Sequence, residues 1–314
     1  MTDKMTPWPT LDWPAWRETA LHLQLMTQIA GKVRLTLSPW LNHSWHVALY
    51  VTPRGLTTSP IPAGARSFQI DFDLIDAVLV VSCSDGAEQM IALEAGTIAA
   101  FYAAVMAALA DLGVAVTIDQ APSEMPDAVR FSDDHAVRPF DAAAARDFHR
   151  ALVRIDTVFK AFRTCFLGKA SPVHFFWGSF DLAVTRFSGR RAPLHPGGPG
   201  LPLDVAREAY SHQESSAGFW PGSDAYPHPA FYSYAYPAPD GFAAATVAPA
   251  AAQFDSGLGE FILRYDDVRA AADPDAAIMD FLQSTYAAAA NLGGWDRDAL
   301  ECGVGVPGVP RAVT

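Results

Sequence analysis

The 314-residue chain is half apolar or aromatic, has only 18% charged residues and carries a formal net charge of -12. This composition excludes a disordered chain, and an acidic surface without a dense run of Lys and Arg repels phosphate backbones, so no nucleic-acid partner is expected. No stretch reaches the roughly 18 apolar residues of a membrane span, so no membrane partner is expected either.

The stretch 1–14 has no continuous apolar region, so it does not read as a secretory signal, and a cytoplasmic protein is expected. Cys83, Cys165 and Cys302 are widely spaced without a CxxC pair, which points to reduced, mostly buried thiols. Leu21, Leu25, Met26 and Ile29 recur at helical spacing, and Gly31 is placed to end that first helix. Val33, Leu35 and Leu37 then alternate with polar residues, as do Trp45, Val47, Leu49 and Val51, which predicts two half-buried strands. Phe68, Ile70, Phe72 and Leu74 predict another. A hairpin follows, with strands over 77–83 and 88–93 joined by Ser84-Asp85-Gly86. Ile98, Phe101, Val105 and Leu109 trace an apolar helix face that stops at Gly113.

A short strand is expected over 114–118, and the proline-containing stretch 121–140 reads as a connection. Asp141 is placed to cap a helix carrying Phe148, Leu152, Ile155, Phe159 and Phe162. Beyond a strand region spanning His174 to Arg190, 193–202 is a Pro/Gly loop and 210–222 a polar loop. The tyrosines Tyr232, Tyr234 and Tyr236 share one strand face, 261–263 is strand-like, and Asp273-Pro274 opens the final helix.

The expected fold class is α+β, with two similar halves, 10–120 and 141–300, each an antiparallel sheet covered by helices, and a loose tail over 301–314. An internal duplication is expected, because Ser44-Trp45-His46-Val47-Ala48-Leu49 can be laid over Ser179-Phe180-Asp181-Leu182-Ala183-Val184. That alignment puts His46 and Asp181 at equivalent positions on equivalent strands, while chance likeness between amphipathic patterns is the rival explanation.

The blocks Trp40-Leu41-Asn42-His43-Ser44-Trp45-His46, Gly55-Leu56-Thr57-Thr58-Ser59-Pro60-Ile61-Pro62, the stretch from Ser171 through Asp181, and Tyr210-Ser211-His212 resemble a family of bacterial proteins classed only as a domain of unknown function. The resemblance covers about residues 8–300. It implies no activity, so the chemistry rests on the residues themselves.

His43 and His46, three apart, reach one metal only if Asn42-His43-Ser44 is a turn; otherwise one is a surface residue and the other hydrogen-bonded under a loop. Together with His174, His212, Glu214 and Asp181 they supply enough N and O ligands for a divalent transition metal, Zn or Fe, at an open site. His212 and Glu214 share a face when extended and would serve as base and orienting carboxylate, with His174 and Asp181 completing a catalytic set. Arg186 and Arg190 would clamp a carboxylate or phosphate, unless Asp181, Glu208 or Glu214 pairs with them internally. Trp177, Trp220 and Tyr234 would wall a pocket for a cyclic or aromatic ligand, although aromatics at strand spacing more often belong to a core.

No P-loop, GxSxG elbow or HExxH occurs, and the GxGxxG-like run at 303–308 precedes no helix, so no nucleotide cofactor is expected. The expected function is an enzyme acting on a small anionic, cyclic or aromatic metabolite in a His/Arg/Trp-lined cleft, with or without dependence on a metal. The alternative is a non-catalytic small-molecule binder using the same cleft.

Overall fold

The computed structural model describes residues 8–125, 129–198 and 200–311. Parts of four expectations lie outside those residues: 1–7 of the amino-terminal stretch, 126–128 of the connection, 199 of the Pro/Gly loop and 312–314 of the tail.

Among the described residues the fold is α+β, with two similar halves. In each half a long helix precedes a six-stranded antiparallel sheet and a second helix follows it. Helix α1 (Trp13–Leu37) leads to β1 (Tyr50–Val51), β2 (Gly55–Thr57), β3 (Ile61–Ala63), β4 (Arg66–Asp73), β5 (Val78–Cys83) and β6 (Glu88–Ala92), then α2 (Ile98–Asp111). Helix α3 (Ala142–Thr164) leads to β7 (His174–Phe176), β8 (Asp181–Arg191), α4 (Leu203–Ala209), β9 (His212–Trp220), β10 (Ala230–Tyr236), β11 (Gln253–Asp255) and β12 (Glu260–Arg264). Three further helices close the chain: α5 (Tyr265–Ala270), α6 (Pro274–Leu292) and α7 (Arg297–Leu300). The sheet orders are β1-β2-β4-β5-β6, with β3 on β4, and β11-β12-β10-β9-β8-β7. A bridge between Leu49 and Phe175 joins the halves, and one apolar core runs through both.

Side-chain oxygens of Thr97, Asp141 and Asp273 accept from the free N–H groups that open α2, α3 and α6. The hairpin β4-β5-β6 follows the alternation of its sequence: Phe68, Ile70, Phe72, Leu79 and Val81 are buried, and their neighbours are less so.

Several expectations are corrected. Helix α1 does not stop at Gly31 but continues to Leu37, so 33–37 is helix and not strand. Gly31 serves close approach instead, since a Cβ there would lie 2.2 Å from the Trp177 ring. Only Tyr50 and Val51 of the expected strand over 45–51 pair as a strand, because Asn42–Ser44 forms a 3-10 turn with His43 and Ser44 left-handed at φ 59° and 57°. His46 and Asp181 therefore do not occupy equivalent strand positions. Residues 114–118 form no strand, and the 210–222 loop is mostly the central strand β9. There Ser215 and Ser216 are buried between neighbouring strands, so their polarity misleads. No helix among the described residues is long and apolar enough to cross a membrane.

Candidate functional site

The register of β8, β9 and β10 sorts their side chains onto two faces. Leu182, Val184, Ala217, Phe219 and Phe231 turn toward the core with α3 and α6 behind them. The opposite face carries Asp181, Thr185, Phe187, Glu214, Ser216, Tyr232, Tyr234 and Tyr236. It too is largely covered, and the polar groups on it need partners. The Tyr232 hydroxyl and the Ser179 hydroxyl both donate to Asp181. Gly218 makes the first of these bonds reachable, because a Cβ there would lie 2.3 Å from the Tyr232 hydroxyl. Tyr210 and Tyr234 share a hydroxyl contact at 3.2 Å, and His195 stacks on Tyr210 with ring centroids 4.5 Å apart.

At one end of this face four chain segments meet. The left-handed turn at His43 is held by Glu208 of α4, whose carboxylate oxygens accept the His43 backbone N–H at 2.9 and 2.8 Å. The imidazole Nδ1 donates to Ala209 O at 2.6 Å, which leaves Nε2 to accept from the Lys169 ammonium. Lys169 lies over Phe187 and Trp45, with its Nζ 4.8 and 5.4 Å from the two ring centroids. His212 joins from β9, its ring centroid 5.9 Å from that of His43.

Glu214 is 5% exposed, and while its backbone pairs within the sheet its carboxyl has no hydrogen-bond partner among the described residues. Burial pushes its carboxyl up to about 8, against the opposing pull of Lys169. Burial likewise lowers Lys169 and His43 below their ordinary values. Burial thus shifts all three groups toward their neutral forms, Glu214 far enough that the protonated carboxyl is favoured at neutral pH. Glu214 also borders a cavity of about 220 Å³, with Gln213, Tyr236, Pro237 and Trp295 among its other walls.

The remaining sequence candidates are dispersed. His174 is 1% exposed under Trp45, and burial pushes it down to about 3, so it stays neutral. His46 packs on Trp40 and accepts from the Leu41 N–H, away from His43. The four histidines therefore do not converge, and among the described residues no group of three His, Cys, Asp or Glu is placed to hold a metal. Asp181 is sealed between Tyr232 and Ser179 rather than beside a histidine.

Arg186 corrects the clamp expectation. It is 0% exposed on the core face, its guanidinium 3.5 Å from the Phe162 ring centroid and 4.4 Å from that of Tyr286, bonded to Phe162 O and Gln283. Arg190 is exposed and donates to Gly293 O at 2.6 Å, at the rim of the cavity beside Glu214. Trp177 is core, with its indole N–H donating to Val47 O, whereas Trp220 stacks on Tyr232 on the polar face. Lys169 is the part of the corner that sequence reading passes over, and Glu208, expected only as a partner for the arginines, instead holds the His43 turn. A lysine just after a helix end looks like an ordinary cap, and only the fold carries it 126 positions from His43 in sequence to hydrogen-bond contact.

A model described as a family of unknown function (DUF5996) matches residues 8–302. The chain belongs to that family. In this DUF5996 chain the matched span contains the whole His43–Lys169–His212–Glu214 corner. No curated protein and no solved structure matches it.

Proposed function

We propose that this protein is an enzyme that holds a small anionic metabolite against Lys169 and His212 and uses Glu214 as a proton donor. The observation that carries this reading is Glu214 itself. A carboxyl that is almost fully buried, lacks a hydrogen bond and sits close enough to feel a lysine costs stability, and a purely structural position has no use for it. Lys169 has a histidine and two rings for company and feels Glu208 nearby, but no carboxylate lies in salt-bridge range among the described residues, so an anionic ligand would complete its pairing. The tyrosine and histidine rings of Tyr210, Tyr236 and His195 favour a flat or cyclic body on the same ligand.

The test is a screen of small cyclic and aromatic carboxylates and phosphates by ligand-observed NMR, followed by turnover assays on the hits. Lys169→Met is expected to weaken binding at least tenfold, while Glu214→Gln keeps binding and loses turnover by about 100-fold or more. Unchanged turnover in Glu214→Gln removes the acid role. Binding without turnover in the wild type replaces the enzyme by the non-catalytic binder.

A further inference from the structure

Around Trp45, whose ring lies 6.3 Å from that of His174, is a second group of polar side chains that the proposed reaction does not use. Arg34, near the end of α1, is 9% exposed, and its Nε and Nη1 are buried without a hydrogen-bond partner. The Tyr50 phenol hydrogen-bonds the guanidinium and has its ring centroid 5.4 Å away, but among the described residues no carboxylate pairs with Arg34. His46 accepts the Leu41 N–H on Nδ1 at 3.1 Å, which puts its proton on Nε2, and that buried N–H also finds no partner. His174 Nδ1 and Ser44 Oγ are buried and unpartnered as well. The Leu49–Phe175 bridge brings the segment of Tyr50, with Arg34 over its ring, alongside that of His174, and the Trp45 ring between Ser44 and His46 in sequence lies 6.3 Å from His174, so the groups share one region.

The orphaned atoms share one property: each is a donor or can become one. A guanidinium does not shed its proton, and a buried charge with only a neutral phenol beside it is unfavourable. One water accepts about two hydrogen bonds and brings no charge, whereas Arg34 and His46 alone present three donors. We infer that the buried cluster of Arg34, Ser44, His46 and His174 binds a small anion, either a free halide or the oxyanion of a carboxylate or phosphate. An anion there satisfies what the chain leaves unsatisfied, and the burial of these groups favours a ligand of few atoms.

Thermal unfolding at constant ionic strength tests this, with a bulky sulfonate exchanged stepwise for bromide, acetate or inorganic phosphate. At least one of the three is expected to raise the midpoint saturably in the wild type, and its identity separates the halide from the oxyanion. In Arg34→Met the half-saturating concentration is expected to rise at least tenfold. Equal responses to all four anions, or the same response in both proteins, overturn the site. Should Arg34→Met not fold, crystals of the wild type soaked in bromide or phosphate decide: an anion peak between Arg34 and His46 supports the inference, and water alone there refutes it.

Discussion

The two six-stranded sheets share an architecture and differ in how they treat their second face. In the amino-terminal sheet the face away from the core carries Gln69, Asp71, Val80, Ser82 and Glu88 around an open hollow of about 550 Å³, where polar groups meet water at no cost. In the carboxy-terminal sheet the corresponding face is covered, and Asp181, Thr185, Glu214, Ser216 and Tyr232 are buried on it. Thr185 and Ser216 satisfy each other at 2.9 Å and Asp181 has two hydroxyl donors, but Glu214 has no such bond. Where one sheet keeps its polar groups wet, the other desolvates them, and desolvation is what alters acidity. The chemistry is therefore sought on the carboxy-terminal sheet.

Substitutions can break or sharpen this contrast. The largest effect is expected from the shared feature, the core: Phe72→Ala in the amino-terminal sheet should lower stability by about 3–5 kcal/mol in urea unfolding, and a loss under about 1 kcal/mol would mean that sheet is not packed as described. Next is Glu214→Gln. Because the folded value is raised above the unfolded one, the carboxyl destabilises the fold increasingly as pH rises from about 4.5 to about 8 and has little effect below that window. The variant should match the wild type near pH 4 and exceed its stability at pH 9 by on the order of 2–4 kcal/mol; equal stability at both pH values would show that Glu214 is solvated.

Tyr232→Phe comes third. It removes one of the two hydroxyls that serve the buried Asp181 and should cost about 1–3 kcal/mol by chemical denaturation. A neutral outcome would mean that this face is wet like its counterpart. The smallest effect is expected on the open face, where Asp71→Ala should stay within about 0.5 kcal/mol of the wild type. A larger loss there would erase the distinction between the sheets.

Legibility from sequence follows the same division. The β4-β5-β6 hairpin, α2, α3 and α6 were readable because each buries one face only, so apolar spacing reports directly on geometry. Strand β9 was not, since its polar residues are buried by neighbours that no local pattern reveals. Gly31 was misread as a helix end because a glycine that makes room for Trp177 looks the same in sequence as a glycine that terminates a helix. Within the corner, His43, His212 and Glu214 stood out by type and spacing. Lys169 did not, Glu208 stood out only as a partner for the arginines, and Arg186 stood out wrongly, since a guanidinium stacked among Phe162, Phe166 and Tyr286 satisfies itself with rings and a carbonyl.

The sequence by itself determined the class of fold, the division into two helix-and-sheet halves and the segments rich in imidazole and aromatic groups, because periodicity and composition are local properties. Which face of a sheet is covered, which lysine reaches which histidine, and which carboxyl loses its water were decided by tertiary packing alone. Desolvation and hydrogen bonding depend on atoms brought together from positions far apart in the chain, and no spacing rule encodes them.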